Sequence, residues 1–120
     1  MNKLLLGGAV LGLVSVIMGT LGDHSLDLTP DKAESLATAI RYNMLYAVLV
    51  VVLALMSPEK KLHIPGSIFA IGTALFSFAI YTALITNIEQ FNYITPLGGI
   101  TIMVGWIILI LKAIKTKTSP

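Results

Sequence analysis

The sequence predicts an all-α integral membrane protein: a four-helix bundle with both termini cytoplasmic and an amphipathic helical segment on the outer side between helices 1 and 2. Three observations lead there. Of 120 residues, 56% are hydrophobic and 12% charged, and the mean hydropathy is +0.89, whereas soluble domains carry about 25% charged residues. Four apolar runs, at about residues 4–21, 42–56, 68–85 and 94–111, each approach the roughly 20 residues that a helix needs to cross about 30 Å of hydrocarbon. Their continuity lacks the period-two alternation of barrel strands, and lipid admits only helices or closed barrels. Finally, Lys3, Lys60, Lys61, Lys112, Lys115 and Lys117 fall on one side of this topology and Lys32 and Arg41 on the other, so the positive-inside rule places both ends in the cytoplasm.

The chain therefore reads as one transmembrane domain, residues 1–120, with spans at about 4–21, 38–56, 67–86 and 94–112. A formal charge of only +2, with its lysines at helix ends, leaves no basic stripe for nucleic acid. Absence of cysteine removes disulfides, thiolate chemistry and Cys-ligated metals.

Met1-Asn2-Lys3 before an apolar run also resembles a secretory leader. The run exceeds the 7–15 residues, roughly, of a leader's apolar region and no A-x-A site follows, so it is read as helix 1. Gly8, Gly12, Ser15, Gly19 and Gly22 recur along it at alternating steps of four and three, a line of small residues that lets another helix of the bundle approach closely.

Next, Thr29 is placed to cap a helix that begins at Pro30, with Asp31 and Glu34 at the positive end of its dipole. Ala33, Leu36, Ala37, Ile40 and Met44 repeat at helical spacing opposite Asp31, Glu34, Ser35, Thr38 and Arg41. This amphipathic segment either lies on the membrane surface or runs on into helix 2. An unbroken helix to Met56 would be about 40 Å long, more than the hydrocarbon requires. Ser57 to Lys61 and Ile64-Pro65-Gly66 form a short connection.

Helix 3 carries a small line of its own, Gly66, Ala70, Thr73 and Ser77, and ends with Tyr81, expected near the outer interface. After the loop 87–93, Thr95 is a capping candidate and Pro96 suits the first turn of helix 4. Gly98, Gly99 and Gly105 permit close packing, and Trp106, one to two turns from Lys112, is expected at the cytoplasmic headgroup level.

Three motifs line up along the chain: Gly19-Thr20-Leu21-Gly22-Asp23-His24, then Ala39-Ile40-Arg41-Tyr42-Asn43-Met44-Leu45-Tyr46, then Ile94-Thr95-Pro96-Leu97-Gly98-Gly99 with Gly105-Trp106. In order and spacing they resemble the motifs of domain-of-unknown-function family 423, small four-helix proteins of bacterial inner membranes with a vertebrate relative called transmembrane protein 256. The resemblance implies a four-helix protein of the inner, or plasma, membrane and brings no established activity. Against the G-A-H, Y-Q-x-x-H and F-S-G-S-L-Y patterns of that family, this chain reads Gly22-Asp23-His24, Tyr42-Asn43-Met44-Leu45-Tyr46 and Phe76-Ser77-Phe78-Ala79-Ile80-Tyr81, so a second histidine is absent.

Asp23 and His24 end helix 1 on the side where Arg41, Tyr42, Asn43 and Tyr46 begin helix 2, and the hairpin can bring them together, with Tyr81 at the same end. Ionisable groups at membrane depth cost about 2.5–3.5 kcal/mol at a helix centre, so Asp23 and Arg41 are expected to pair at the rim. The structural reading makes this cluster an anchor for the amphipathic segment. The functional one makes it a pocket for a lipid headgroup or small anion, with Arg41 as a forked donor and His24 titrating near neutrality.

A metal at His24 with Asp23 or Asp27 is disfavoured, because adjacent residues rarely converge, and no cofactor is expected. No serine beside a base and no carboxylate pair stands at usable spacing, so the protein is expected not to be an enzyme. Membrane lipid is the expected partner, with a homo-oligomer as a further option. The alternative is a small transporter or permeation pathway acting as an oligomer. For Thr73, Ser77 and Thr101, hydrogen bonds within the bundle are favoured over a polar path.

Overall fold

The structure, a computed structural model, describes residues 2–24, 28–56 and 61–115, without the side chains of Asp23 and His24. Among these residues all regular structure is helical. Helix α1 is Lys3–His24 and α2 is Pro30–Met56. Helix α3, His63–Thr73, passes through a π-helical segment, Ala74–Phe78, into α4, Ala79–Thr86. A 3-10 segment, Glu89–Tyr93, leads into α5, Thr95–Lys115. Taking α3, the π segment and α4 as one span, four helical spans among the described residues are long and apolar enough to cross a membrane.

Local chemistry explains the ends. Thr29 Oγ1 accepts the Lys32 backbone N–H at 3.4 Å, so Thr29 caps α2 and Pro30 takes the first helical position, where its missing N–H costs nothing. The amphipathic segment forms the first turns of α2 itself. Helix α4 stops at Asn87, in the left-handed conformation (φ 58°) that Asn tolerates better than most residues. Thr95 does not cap α5: its hydroxyl is buried without a partner, and the Ile94 carbonyl instead accepts the N–H groups of Leu97 and Gly98. The 3-10 turn runs straight into the helix and leaves Thr95 inside the first turn.

The spans pack antiparallel in a chain of neighbours. Gly8 of α1 lies against Val50 and Val51 of α2, Gly12 against Ala47, and Gly22 against Leu36. On another face of α2, Ala39 meets Ser77, Tyr42 stacks on Phe76 at 4.8 Å and Tyr46 on Phe69 at 5.5 Å. Helix α5 docks on the third span more tightly still. A Cβ at Gly98 would overlap the backbone of Phe76, and one at Gly105 would press on the Phe69 ring at 2.8 Å.

Of the small residues expected to pack, Gly8, Gly12, Ser15, Gly98 and Gly105 do so, whereas Gly19 and Gly99 meet nothing within 4 Å. Gly99 is turned about 100° from the contact face that Gly98 occupies.

Trp106 makes contacts inside the bundle that its expected headgroup level does not foretell. Its Nε1–H donates to the Tyr46 hydroxyl at 2.9 Å, and its ring meets Phe69 edge-on at 5.0 Å. The indole is thus tied into the bundle, because Gly105 beside it brings α5 within reach of the aromatic rings of the α2–α3 interface.

Candidate functional site

Two apolar clusters fill the bundle. One is built on Leu4, Tyr46, Val50, Leu53, Phe69 and Ile102, the other on Met18, Leu36, Ala39, Ile80 and Tyr81. Between them lies a polar layer. The buried polar side chains Ser15, Asn43, Thr73 and Ser77 come from α1, α2, α3 and the π segment, and each is at most 1% exposed. The helix registers bring the first three to one level. Gly12 facing Ala47 sets Ser15 beside Asn43, and the Tyr42–Phe76 and Tyr46–Phe69 stacks set Thr73 across from it.

The layer is largely satisfied from within, as burial in an apolar bundle demands. Asn43 Nδ2 donates to the Tyr81 hydroxyl at 2.9 Å, and Ser77 Oγ donates to the Ala39 carbonyl at 3.0 Å. Ser15 Oγ donates to the Gly12 carbonyl of its own helix at 2.6 Å. At the same level on α5, Thr101 Oγ1 donates to Leu97 of its own helix at 2.8 Å. Two acceptors break the pattern: Asn43 Oδ1 and Thr73 Oγ1 are buried with no hydrogen-bond partner. They flank the start of the π segment, a feature frequent at functional sites. The layer offers hydroxyls and one carboxamide, sealed from solvent, and supplies no carboxylate or imidazole for proton transfer.

The cluster anticipated at the outer rim is divided by helix geometry. Ala39, Asn43, Tyr46, Val50 and Leu53 recur at steps of four and three and are all buried. Arg41 therefore points the other way. It is exposed, heading the outward stripe of Leu45, Val48, Val52 and Leu55, and no ion pair joins it to a described residue. Asp23 and His24, expected beside it, have side chains outside the described residues, as does Asp27. Tyr42 is half-exposed with its ring on Phe76, and Tyr81, expected near the interface, is buried and held by Asn43.

Toward the N-terminal end of α2, a concavity of about 260 Å³ is lined by Asp31, Glu34, Ser35, Thr38 and Ile80. Among the described residues no three His, Asp or Glu side chains lie close enough to hold a metal ion. Sequence reasoning missed Ser15 and Thr73 as parts of a shared polar layer. The available signal was that small polar residues interrupt each apolar run at matching depth.

A family model described as "Protein of unknown function (DUF423)" matches residues 18–99. The UPF0382 membrane protein YwdK of Bacillus subtilis is 30% identical over 121 residues, covering 96% of this chain and 98% of that protein. The UPF0382 inner membrane protein YgdD of Escherichia coli is 28% identical over 120 residues, covering 95% and 91%. A UPF0382 membrane protein of Staphylococcus epidermidis is 28% identical over 119 residues, covering 96% and 98%. No solved structure matches the chain significantly.

Proposed function

This chain belongs to the DUF423 family of uncharacterised membrane proteins, and from that premise we propose a non-enzymatic, multi-pass protein of the inner membrane that holds a phospholipid headgroup through Arg41 on its outer face. The inner-membrane placement is supported by the name of the Escherichia coli relative, and none of the relatives' names given above denotes an enzyme. The observation that carries the headgroup reading is an exposed guanidinium on a membrane-spanning helix, facing the surroundings of the bundle with no described ion-pair partner.

A charge so placed is costly unless it reaches polar company. The long arginine side chain can extend toward the membrane surface along the Thr38 turn. There the lipid phosphate is the anion at hand, and the planar fork engages two of its oxygens at once. Tyr42, half-exposed beside it, suits the interfacial level at which tyrosine rings gather. The proposed orientation, with both termini cytoplasmic, puts Arg41 toward the outer leaflet.

A permeation pathway would require the sealed hydroxyls of Ser77 and Tyr81 to open to water, so their burial favours the binding reading. Native mass spectrometry from gentle detergent tests it by counting phospholipids retained per chain. Arg41→Gln is expected to retain one fewer than the wild type, and Arg41→Lys, which keeps the charge without the fork, to fall between them. A stably folded Arg41→Gln protein with an unchanged lipid count would defeat the proposal.

A further inference from the structure

The third span does not close smoothly against α5. Its π segment is wider than the helix on either side, and the 3-10 segment Glu89–Tyr93 turns back beside it. Between them lies a groove of about 330 Å³ lined by Ala74, Phe78, Ala79, Thr82, Phe91 and Ile94, among others. That volume falls at the lower end of the roughly 300–1,000 Å³ of small-molecule sites. Its lining is almost wholly apolar, two alanines leave room in its wall, and two phenylalanines flank it.

The same 3-10 segment contributes Glu89, Gln90 and Tyr93, with Asn87, to a second concavity of about 330 Å³ whose lining is polar. Lys32 Nζ donates to Asn87 Oδ1 at 3.4 Å, which brings a cation to the edge of this basin, whose lining includes Glu89. An apolar slot beside a membrane-spanning helix thus gives way, across one short helix, to a polar basin carrying both signs of charge. A soluble metabolite would not match the slot, and a hydrocarbon without a headgroup would not match the basin.

We propose that these two concavities together form a site for one zwitterionic phospholipid of the ethanolamine type. One acyl chain lies in the slot between Phe78 and Phe91. The headgroup sits over the basin, its ammonium at Glu89 and its phosphate toward Lys32 and the Gln90 amide. In a bilayer, burying apolar surface against protein gains little over burying it against other lipid. Selectivity for this molecule comes instead from dispersion contacts around a recessed chain, which a convex helix face cannot supply, and from the paired charges at the rim. The site is separate from Arg41 and does not depend on the headgroup reading given for that residue.

The test uses the full chain in vesicles of equal parts phosphatidylethanolamine and phosphatidylglycerol. The vesicles carry a trace of phospholipid with a photoactivatable diazirine in one acyl chain and either an ethanolamine or a glycerol headgroup, and labelled positions are mapped by peptide mass spectrometry. The ethanolamine probe is expected to label Phe78, Phe91 and Ile94 several-fold more than the Leu45–Leu55 stripe of α2, and several-fold more than the glycerol probe does. Ala74→Leu, which fills the slot, and Phe91→Ala, which removes one wall, should each cut that labelling several-fold. Gly99→Ala, into open space on α5, should leave it unchanged.

Equal labelling of slot and stripe, equal labelling by the two probes, or indifference to both slot variants would overturn the proposal. So would loss of the slot signal in Gly99→Ala, and so would chain-to-chain crosslinks replacing lipid label, which would mark a second copy as the occupant.

Discussion

Asn43 gives up the freedom of a carboxamide for one good bond, the 2.9 Å contact to the Tyr81 hydroxyl, while its carbonyl end goes unpartnered. Hydrogen bonds between membrane helices are modest, averaging about 0.6 kcal/mol and reaching about 1.7. Tyr81→Phe is therefore expected to destabilise the bundle within that range in detergent unfolding measurements. Asn43→Leu combined with Tyr81→Phe should cost less than the two single changes summed, because removing both partners leaves no orphan. A strictly additive pair would show that the bond contributes nothing.

This part of the site was hidden in the sequence for a physical reason. In a membrane helix the lipid-facing side is as apolar as the core, so hydrophobic periodicity does not reveal which of Arg41, Tyr42 and Asn43 turns inward. The recurrence of small and polar residues at Ala39, Asn43 and Tyr46 does carry that information. Arg41 drew attention by its charge, yet it is Asn43, uncharged, that turns inward.

Glycines set the distance between spans, and they differ in what they face. A methyl at Gly98 would collide with the main chain of Phe76 and with the Gly72 carbonyl, neither of which can swing aside. Gly98→Ala is expected to cost at least the roughly 1–3 kcal/mol typical of overpacking, read as a lowered unfolding midpoint or lost folded yield. Gly99→Ala, into open space, should stay within about 0.5 kcal/mol. A reversed order would mean that α5 docks by a different face.

The alternating steps of helix 1 disclosed a seam correctly at Gly8 and Gly12, but spacing alone does not say what stands opposite, and a Cβ at Gly19 would meet nothing within 4 Å. The start of α2 was legible down to its capping residue because Thr-Pro-Asp is local chemistry. The start of α5 was not, since its entry depends on a 3-10 turn that no single residue signals.

For the whole molecule, four stretches of sufficient length and apolarity made the number of spans readable, because the thickness of hydrocarbon is a fixed ruler. Which side each loop occupies rests on lysine and arginine counts. A reporter that functions only in the cytoplasm, fused after Pro120, is expected to be active, while the same reporter inserted in the 87–93 loop should be silent. The opposite result would reverse the topology and move Arg41 to the inner leaflet.

What no ruler or count foretold is the break in winding at residues 74–78. An α-helix advances about 100° per residue, so a helix carrying one extra residue in a single turn can give its two halves to different clients. Phe69 and Gly72 lie against α5, with Phe69 also stacked on Tyr46 of α2, while Ser77 and Tyr81 bond to Ala39 and Asn43, nearer the N-terminus of α2. Excising one amino acid there would re-phase everything from that point to Thr86. Tyr81 would swing away from its carboxamide while Phe69 kept its place, so the lower bundle would survive a lesion that unlatches the upper one.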